Sequence, residues 1–558
     1  MLGILAAVLL SLCAQSSAQS PLRPLPLTPR TRIDTVLAQG ARHVYALQLG
    51  TGASAEVTVL QRGVDLVVEV RNERDSLLFT MDSPNGRNGP EVVELIAPRA
   101  ANYRLVVRAF DEREPQGPYT LSVSAWRSAA ATRQMVRARQ QARDAAAAWL
   151  RSRSVPLPGG SLAPLDALAD RAAVIGIGEA THGSREFGDL RLALTRYLVE
   201  RHGFRLVAIE MSAARLAVLD RYSRGLGSAD SVAPVLETGW IGRRALRELV
   251  AWLREWNRQH PGDVVRLVGL DAQENALARR DLRAFVARAY PRSADRYAAV
   301  ERELAAADSQ AWVFGDSRVD SSARRFLREL VAQAETDAPA LRRLTDTAVV
   351  RAGLEAARVL RQFAEFNSGE QDPWSQWRDW YMALNLLAAL DRVPQGKGVV
   401  WAHNSHVAAP PDRGPPGQRM GTVLRNALGC RYAALAVTFG QGAFVAQLPN
   451  DLEDDLVAGT LPPAPESSIE GLMGSIGGGR SGTLATWSCD ARAGALPAWL
   501  AEPQRMHLVG ALFRPGSDPA EAFRPVRLVD EFDGIVFIPV VTADEMPTDR
   551  PLIPARRR

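Results

Sequence analysis

The chain changes its pattern of hydrophobic and polar positions part-way along. From Arg32 to Trp126 short runs alternate apolar with polar residues: "HVYALQLG", "AEVTVLQ", "DLVVEVRN", "SLLFTMD", "YRLVVRAF" and "YTLSVSA". A period of two presents one face of a pleated strand to a core. With Gly, Pro, Asn and Asp between the runs, the pattern predicts an antiparallel β-sandwich over 32–126. The stretch "AATRQMVRARQQARDAAAAWLRSR" contains neither Pro nor Gly and predicts a helical join over 127–153, ended by "VPLPGGSLAP".

After the join the strands are of another kind. "AAVIGIG" (172–178), "RLVAIE" (205–210), "VVRLVGLD" (264–271), "GVVWAH" (398–403) and "AALAVTFG" (433–440) are nearly unbroken apolar runs. Such runs suit strands covered on both faces. Helical spacings lie between them, as in Phe187, Leu190, Leu194, Tyr197 and Leu198, or Leu246, Leu249, Val250, Leu253 and Trp256. Residues 276–392 carry helical patterns without a strand, an insertion between the third and fourth runs. The expected architecture is an α/β domain with a mainly parallel sheet and a large helical insertion, over 145–545, preceded by a small all-β sandwich domain. A basic tail, 546–558, follows.

Composition changes this picture little. The chain has 558 residues, enough for two or more domains, and is 46% hydrophobic and 23% charged. The 67 basic residues, all arginine but Lys397, are interspersed with 62 acidic ones. A net charge of +5 spread in this way forms no basic patch, and no nucleic-acid partner is expected. "MLGILAAVLLSLCAQSSAQS" joins a short apolar stretch to small residues, with Ser16 and Ala18 where a signal peptidase reads. It predicts a cleaved signal peptide over 1–18 and a periplasmic or secreted protein. No later segment offers the ~20 apolar residues of a membrane span. Cys430 and Cys489 then remain, either as a disulfide or as free thiols, and no metal-type cysteine spacing occurs.

The candidate chemistry lies at the strand ends. The first run leads into Glu179 and His182, the second ends at Glu210, the third at Asp271, and the fourth at His403 with His406 three residues on. Ligands of open parallel sheets bind beyond the carboxyl ends of strands, so four strands deliver carboxylates and imidazoles to one edge. "GIGEATHG" has Thr181 where a dinucleotide-binding loop needs its third glycine. No nucleophile elbow, Walker loop or H-E-x-x-H is present. Water is therefore the expected attacking group, activated by a histidine base or by a metal. Glu179, His182, His403 and His406 would equally make an N/O ligand set for zinc or manganese. An exported small-ligand or haem-binding protein is a third reading.

"VIGIGEATHGSREFGDLR", "GFRLVAIE", "TGWIGRRALRELVAWLREWN", "VRLVGLDAQEN", "FNSGEQDPWSQWRDWYMALNL" and "VVWAHNSHVA" resemble the erythromycin esterase family, with further likeness over about 145–545. "VYALQLGTG", "VDLVVEVRNERDSLL", "APRAANYRLVVRAF" and "GPYTLSV" resemble the pre-peptidase C-terminal domain, an accessory module of exported enzymes. The first resemblance implies a hydrolase that cleaves an ester or lactone of a small molecule, such as a macrolide antibiotic, without metal or other cofactor. It implies catalytic roles for Glu179, His182, Arg191, His403 and His406, with His182 as the base that activates water. Glu210, Asp271 and Arg185 are expected at the substrate. Arg378 and Asn385 match family positions without an assigned role. Neither resemblance fixes the substrate or the oligomeric state.

Overall fold

The computed structural model describes residues 24–83, 87–111, 114–157, 161–237, 243–310, 318–344, 346–368, 374–393, 396–411, 418–448, 456–477, 482–487, 489 and 496–545. The signal segment 1–18 and the tail 546–558 lie outside them. Two compact units are formed, 1–141 and 142–558.

The first unit is a two-sheet sandwich. Five strands form one sheet and four the other, antiparallel throughout except where Leu25–Leu27 lies parallel to the strand Arg42–Leu49. The alternation read from the sequence is visible in burial. Along Ser54–Arg62, Val57 and Val59 are fully buried while Thr58 and Leu60 are only partly so. Val57, Val59, Leu66, Val68, Val93, Leu105 and Leu121 meet in a core of their own. Each such side chain contributes about 1.5–3 kcal/mol by burial.

The second unit is built on six parallel strands, β1 (Val174–Ile177), β2 (Leu206–Ser212), β3 (Arg266–Asp271), β4 (Gly398–Trp401), β5 (Tyr432–Gln447) and β6 (Gly534–Val541). Their spatial order is β3-β2-β4-β1-β5-β6, with all neighbours parallel. Antiparallel strands extend the sheet beyond β6, and Leu456–Leu461 pairs antiparallel with the far half of β5. The unbroken apolar runs have a simple cause. Ile175, Val207, Val399, Leu435 and Val437 face one core with Leu194, Leu198, Leu249 and Leu253. Val174, Leu206, Ala208, Val400, Ala434 and Ala436 face another with Met382, Leu386, Met420 and Leu472.

Four elements matter for the site: α1 (Arg185–His202), α2 (Arg243–Gln259), α3 (Trp374–Leu390) and the single turn α4 (Asn404–Val407). Helix α1 stops at Gly203, whose left-handed φ of 70° turns the chain toward β2. Between β3 and β4 the insertion runs through helices Ala276–Ala289, Ala294–Gln310, Ser321–Leu344 and Thr347–Phe366 before α3, around its own core of Leu282, Phe285, Leu327, Leu360 and Phe363. No described helix is long and apolar enough to cross a membrane.

Cys430, just before β5, forms a disulfide with Cys489, with Cα atoms 5.8 Å apart and a sequence separation of 59. A closed loop of that length stabilises chiefly by restricting the unfolded chain. Replacing both cysteines by Ser is expected to lower stability by about 2–4 kcal/mol in non-reducing urea titration.

Candidate active site

The chain leaving β1 is held from several sides before it enters α1. A Cβ on Gly178 would lie 2.0 Å from Asn404 Oδ1, so only glycine lets that side chain cross. Asn404 uses the space to bridge to β5, accepting the Val437 N–H at 3.0 Å and donating to the Val437 carbonyl at 2.8 Å. Its own amide donates to the Glu179 carbonyl. Further on, the Gly183 carbonyl accepts from the amides of Val445 and Asp544, and a Cβ on Gly183 would strike the Val445 carbonyl at 2.0 Å. Glu186 fastens the helix start to Thr542 through that residue's amide and hydroxyl. The turn bearing Glu179 and His182 is thus fixed by backbone bonds to β5 and to the chain after β6.

Within the turn, His182 Nδ1 stands 2.7 Å from Glu179 Oε1, and Arg191 Nη1 stands 2.9 Å from Oε2. All three residues are buried. Burial by itself would raise the Glu179 carboxyl, but the charges of Arg191 and His182 outweigh it and hold the group below its usual range. The carboxylate keeps a proton on Nδ1, which leaves the lone pair of a neutral imidazole on Nε2. Arg191 also lies over the Trp401 ring, 5.1 Å from its centroid.

A second group gathers around Arg378 of α3. Its Nε and Nη2 donate to Asp271 Oδ2 at 2.9 and 2.6 Å, and Nη2 also donates to Glu210 Oε1 at 2.8 Å. Glu210 Oε1 lies 3.1 Å from His406 Nε2, and Oε2 accepts the His403 amide at 2.8 Å. Desolvation would raise the Glu210 carboxyl, yet His406 and Arg378 hold it well below its usual value. Burial opposes the charge on Arg378, and the carboxylates of Asp271 and Glu210 reverse that effect, so the guanidinium is firmly protonated. The other ring nitrogen of His406, Nδ1, is hydrogen-bonded to Asp379.

His403, which caps α4, and His406 within it are opposite in character. His403 is pushed down to about 3 by desolvation and by the neighbouring imidazoles His182 and His406. Its Nδ1 accepts the Ser405 amide, and Nε2 lies 3.3 Å from the Ala180 carbonyl, the arrangement of a neutral ring protonated on Nε2. For His406, burial works against the charge, but Asp379 and Glu210 prevail and push it up to about 9. At neutral pH His403 is therefore neutral and His406 cationic, with their ring centroids 6.4 Å apart. The His182 and His403 rings are 5.5 Å apart.

A small cavity beside these groups is lined by Glu179, Arg191, Ile209, Glu210, Met211, Leu246 and Trp401. Two carboxylates and a guanidinium face an otherwise apolar wall from β2, α2 and β4. Among the described residues no three His, Cys, Asp or Glu side chains are grouped as a metal ion would require.

Of the residues expected from the sequence, Glu179, His182, Arg191, Glu210, Asp271, His403 and His406 lie together at the carboxyl edge of β1, β2, β3 and β4. Asp271 reaches the others through Arg378 rather than through the cavity wall. Arg185, expected at the substrate, is outside the cluster. It is exposed on the first turn of α1, and no described hydrogen bond or ion pair joins its side chain to the site. Asn385 binds the Leu270 carbonyl and Gln362, tying α3 to β3. Two participants were not singled out by sequence reasoning. Asn404 stands between the two histidines of "AHNSHV", and Asp379 stands beside Arg378 in "QWRDWYMALN"; only that adjacency marked them.

Comparison with known proteins gives a family model, erythromycin esterase, that matches residues 199–541. Glu210, Asp271, Arg378, His403 and His406 fall inside the match, and Glu179, His182 and Arg191 precede it. Erythromycin esterase type I of Escherichia coli is 24% identical over 267 residues, 44% of this chain and 64% of the relative. Erythromycin esterase type II of Escherichia coli is 24% identical over 317 residues, 51% of this chain and 73% of the relative. Among solved structures, a Bacillus cereus protein aligns with a TM-score of 0.56 at 21% identity, covering 72% of this chain and 98% of its own. An erythromycin esterase variant in its open conformation aligns at 0.52 and 19%, covering 70% and 96%. At these identities the structural likeness establishes the shared fold.

Proposed function

The chain belongs to the erythromycin esterase family, and from that premise we propose that it cleaves a carboxylic ester or lactone of a small molecule with water activated at His182. The family supports hydrolase chemistry. The observation that carries it is the 2.7 Å bond between Glu179 and His182 beside a cavity that Glu179 itself lines. The carboxylate, anchored by Arg191, sets the imidazole tautomer. His182 Nε2 takes a proton as the water oxygen adds to the ester carbonyl carbon. A donor is then needed for the oxygen that becomes negative, and the role is assigned to Arg191, which lines the cavity. Collapse of the tetrahedral intermediate breaks the carbon–oxygen bond, and the protonated His182 passes the proton it took from water to the leaving alkoxide, giving acid and alcohol.

A macrolactone is one candidate substrate, since the Escherichia coli relatives are named for erythromycin. Export is proposed on the amino-terminal pattern, and the disulfide is in keeping with an oxidising compartment. The sandwich unit is proposed as an accessory module of the pre-peptidase C-terminal kind. The test is a panel of macrolides, simple lactones and alkyl esters, assayed with the purified chain before and after exhaustive chelation. Turnover of at least one member that survives chelation is expected. Loss of all turnover on chelation, restored by zinc or manganese, would replace the histidine base by a metal centre.

A further inference from the structure

Asp379 is completely buried, and its described hydrogen-bond partners are His406 Nδ1 and the Met420 amide. An ionised carboxylate so far from water is tolerable only beside a compensating charge. The bonded partner that can carry one is His406, whose other nitrogen meets the cavity-lining Glu210. The chain of contacts Asp379, His406, Glu210 therefore runs from the interior of α3 to the cavity wall. We propose, on the hydrolase reading above, that Asp379 is a positioning residue: it fixes the His406 ring so that Nε2–H holds the Glu210 carboxylate in place at the cavity.

The other groups around the ring define what happens when that hold is lost. Arg378 of α3 places Nη1 3.2 Å from His406 Nε2, and Glu210 of β2 lies 3.1 Å from the same atom. His403 shares the α4 segment, Asp271 of β3 is paired to Arg378, and Tyr432 of β5 donates to the Val407 carbonyl next door. With His406 protonated, Nε2–H donates to Glu210. With His406 neutral and its proton on Nδ1, the lone pair on Nε2 repels Glu210 and accepts from Arg378 instead. Glu210 then loses one of the donors to its Oε1. Asp379 and Glu210 favour the cation, while burial and Arg378 oppose it. Removing the Asp379 charge tips the balance toward the neutral ring.

Full-length parent and Asp379→Asn, labelled with 15N-histidine, give the direct readout, because the chain has only seven histidines and His406→Gln identifies the signal. In the parent the ring is expected to stay protonated until about pH 9. In Asp379→Asn it is expected to lose its proton at a proton concentration at least about tenfold higher. The alkaline limb of kcat/KM should move with it, while a purely structural residue would lower the rate at every pH alike. An unchanged His406 titration, or a shifted titration with an unshifted kcat/KM limb, would overturn the proposal. Should Asp379→Asn fail to fold, Asp379→Glu supplies the comparison. A His406 titration and alkaline limb close to the parent's support the proposal. A His406 ring titrating near the free value with an unmoved limb overturns it. If the parent hydrolyses no ester, the hydrolase reading fails separately, and the titration alone decides whether Asp379 holds His406.

Discussion

His182→Ala is expected to lose about 10²–10⁴-fold in kcat/KM on any ester the parent cleaves, the range that general-base catalysis supplies. The substitution removes an imidazole bonded to Glu179 and leaves the backbone bonds of the turn in place, because Gly183 and Asn404 form them with β5 through main-chain and amide groups. The circular dichroism spectrum should therefore match the parent's. Partial rescue by added imidazole would follow from the space the ring vacates. A folded His182→Ala protein with parent activity would remove His182 from the chemistry.

Arg378→Met is expected to be the most destabilising single change at the site. One guanidinium serves two buried carboxylates, Glu210 and Asp271, and its loss leaves both without their shared cation. Breaking a buried ion pair from one side costs about 3–5 kcal/mol. The sign of the pH dependence follows from what the carboxylates do next. Without Arg378, Glu210 loses one of the two cations, His406 being the other, that hold it well below its usual value, so its folded-state value rises toward that of the unfolded chain. The deficit is then full at neutral pH and shrinks as pH falls and the groups take up protons. Urea titrations of parent and variant at pH 7.5 and at a pH below the usual glutamate value should converge toward the lower pH. A deficit equal at both would show that Arg378 acts by packing and not by charge. In the parent, His406 imposes the opposite trend on the alkaline side. Its contribution is complete below about pH 6.5, the free-histidine value, and is lost as pH rises through about 9.

The sheet and its functional edge were legible because the same physical fact writes both. A strand covered on two faces must be apolar along its length, so a carboxylate or imidazole at its end stands out. Glu179, Glu210, Asp271 and His403 were found in that way, and β3, β2, β4 and β1 are contiguous in the sheet. Arg185 was read from the motif and not from a strand end. It shares a motif with His182, but on a helix sequence nearness does not decide facing, and Arg191, six residues later, is the arginine turned inward. Asp379 was illegible for a related reason. A polar pair on a helix resembles a solvated face, and only the packing of α3 across the strand ends makes Arg378 and Asp379 interior. Strand β5 runs through Gln447, well past the apolar run that ended at Gly440, because Leu456–Leu461 returns to pair with it. The pairing of Cys430 with Cys489 required the fold, since a sequence separation of 59 says nothing about proximity.

Glu179→Gln isolates the bond between Glu179 and His182, since glutamine keeps the size of the side chain and removes its charge. The decisive measurement is kcat/KM of this variant against the parent on one cleaved ester, with thermal unfolding recorded on the same samples. The expected result is a folded protein whose rate falls about 10²-fold or more, because the imidazole loses the carboxylate that sets its tautomer and stabilises its charged form. A folded Glu179→Gln protein that hydrolyses the ester at the parent rate would contradict it and leave Glu179 as a residue of the turn alone.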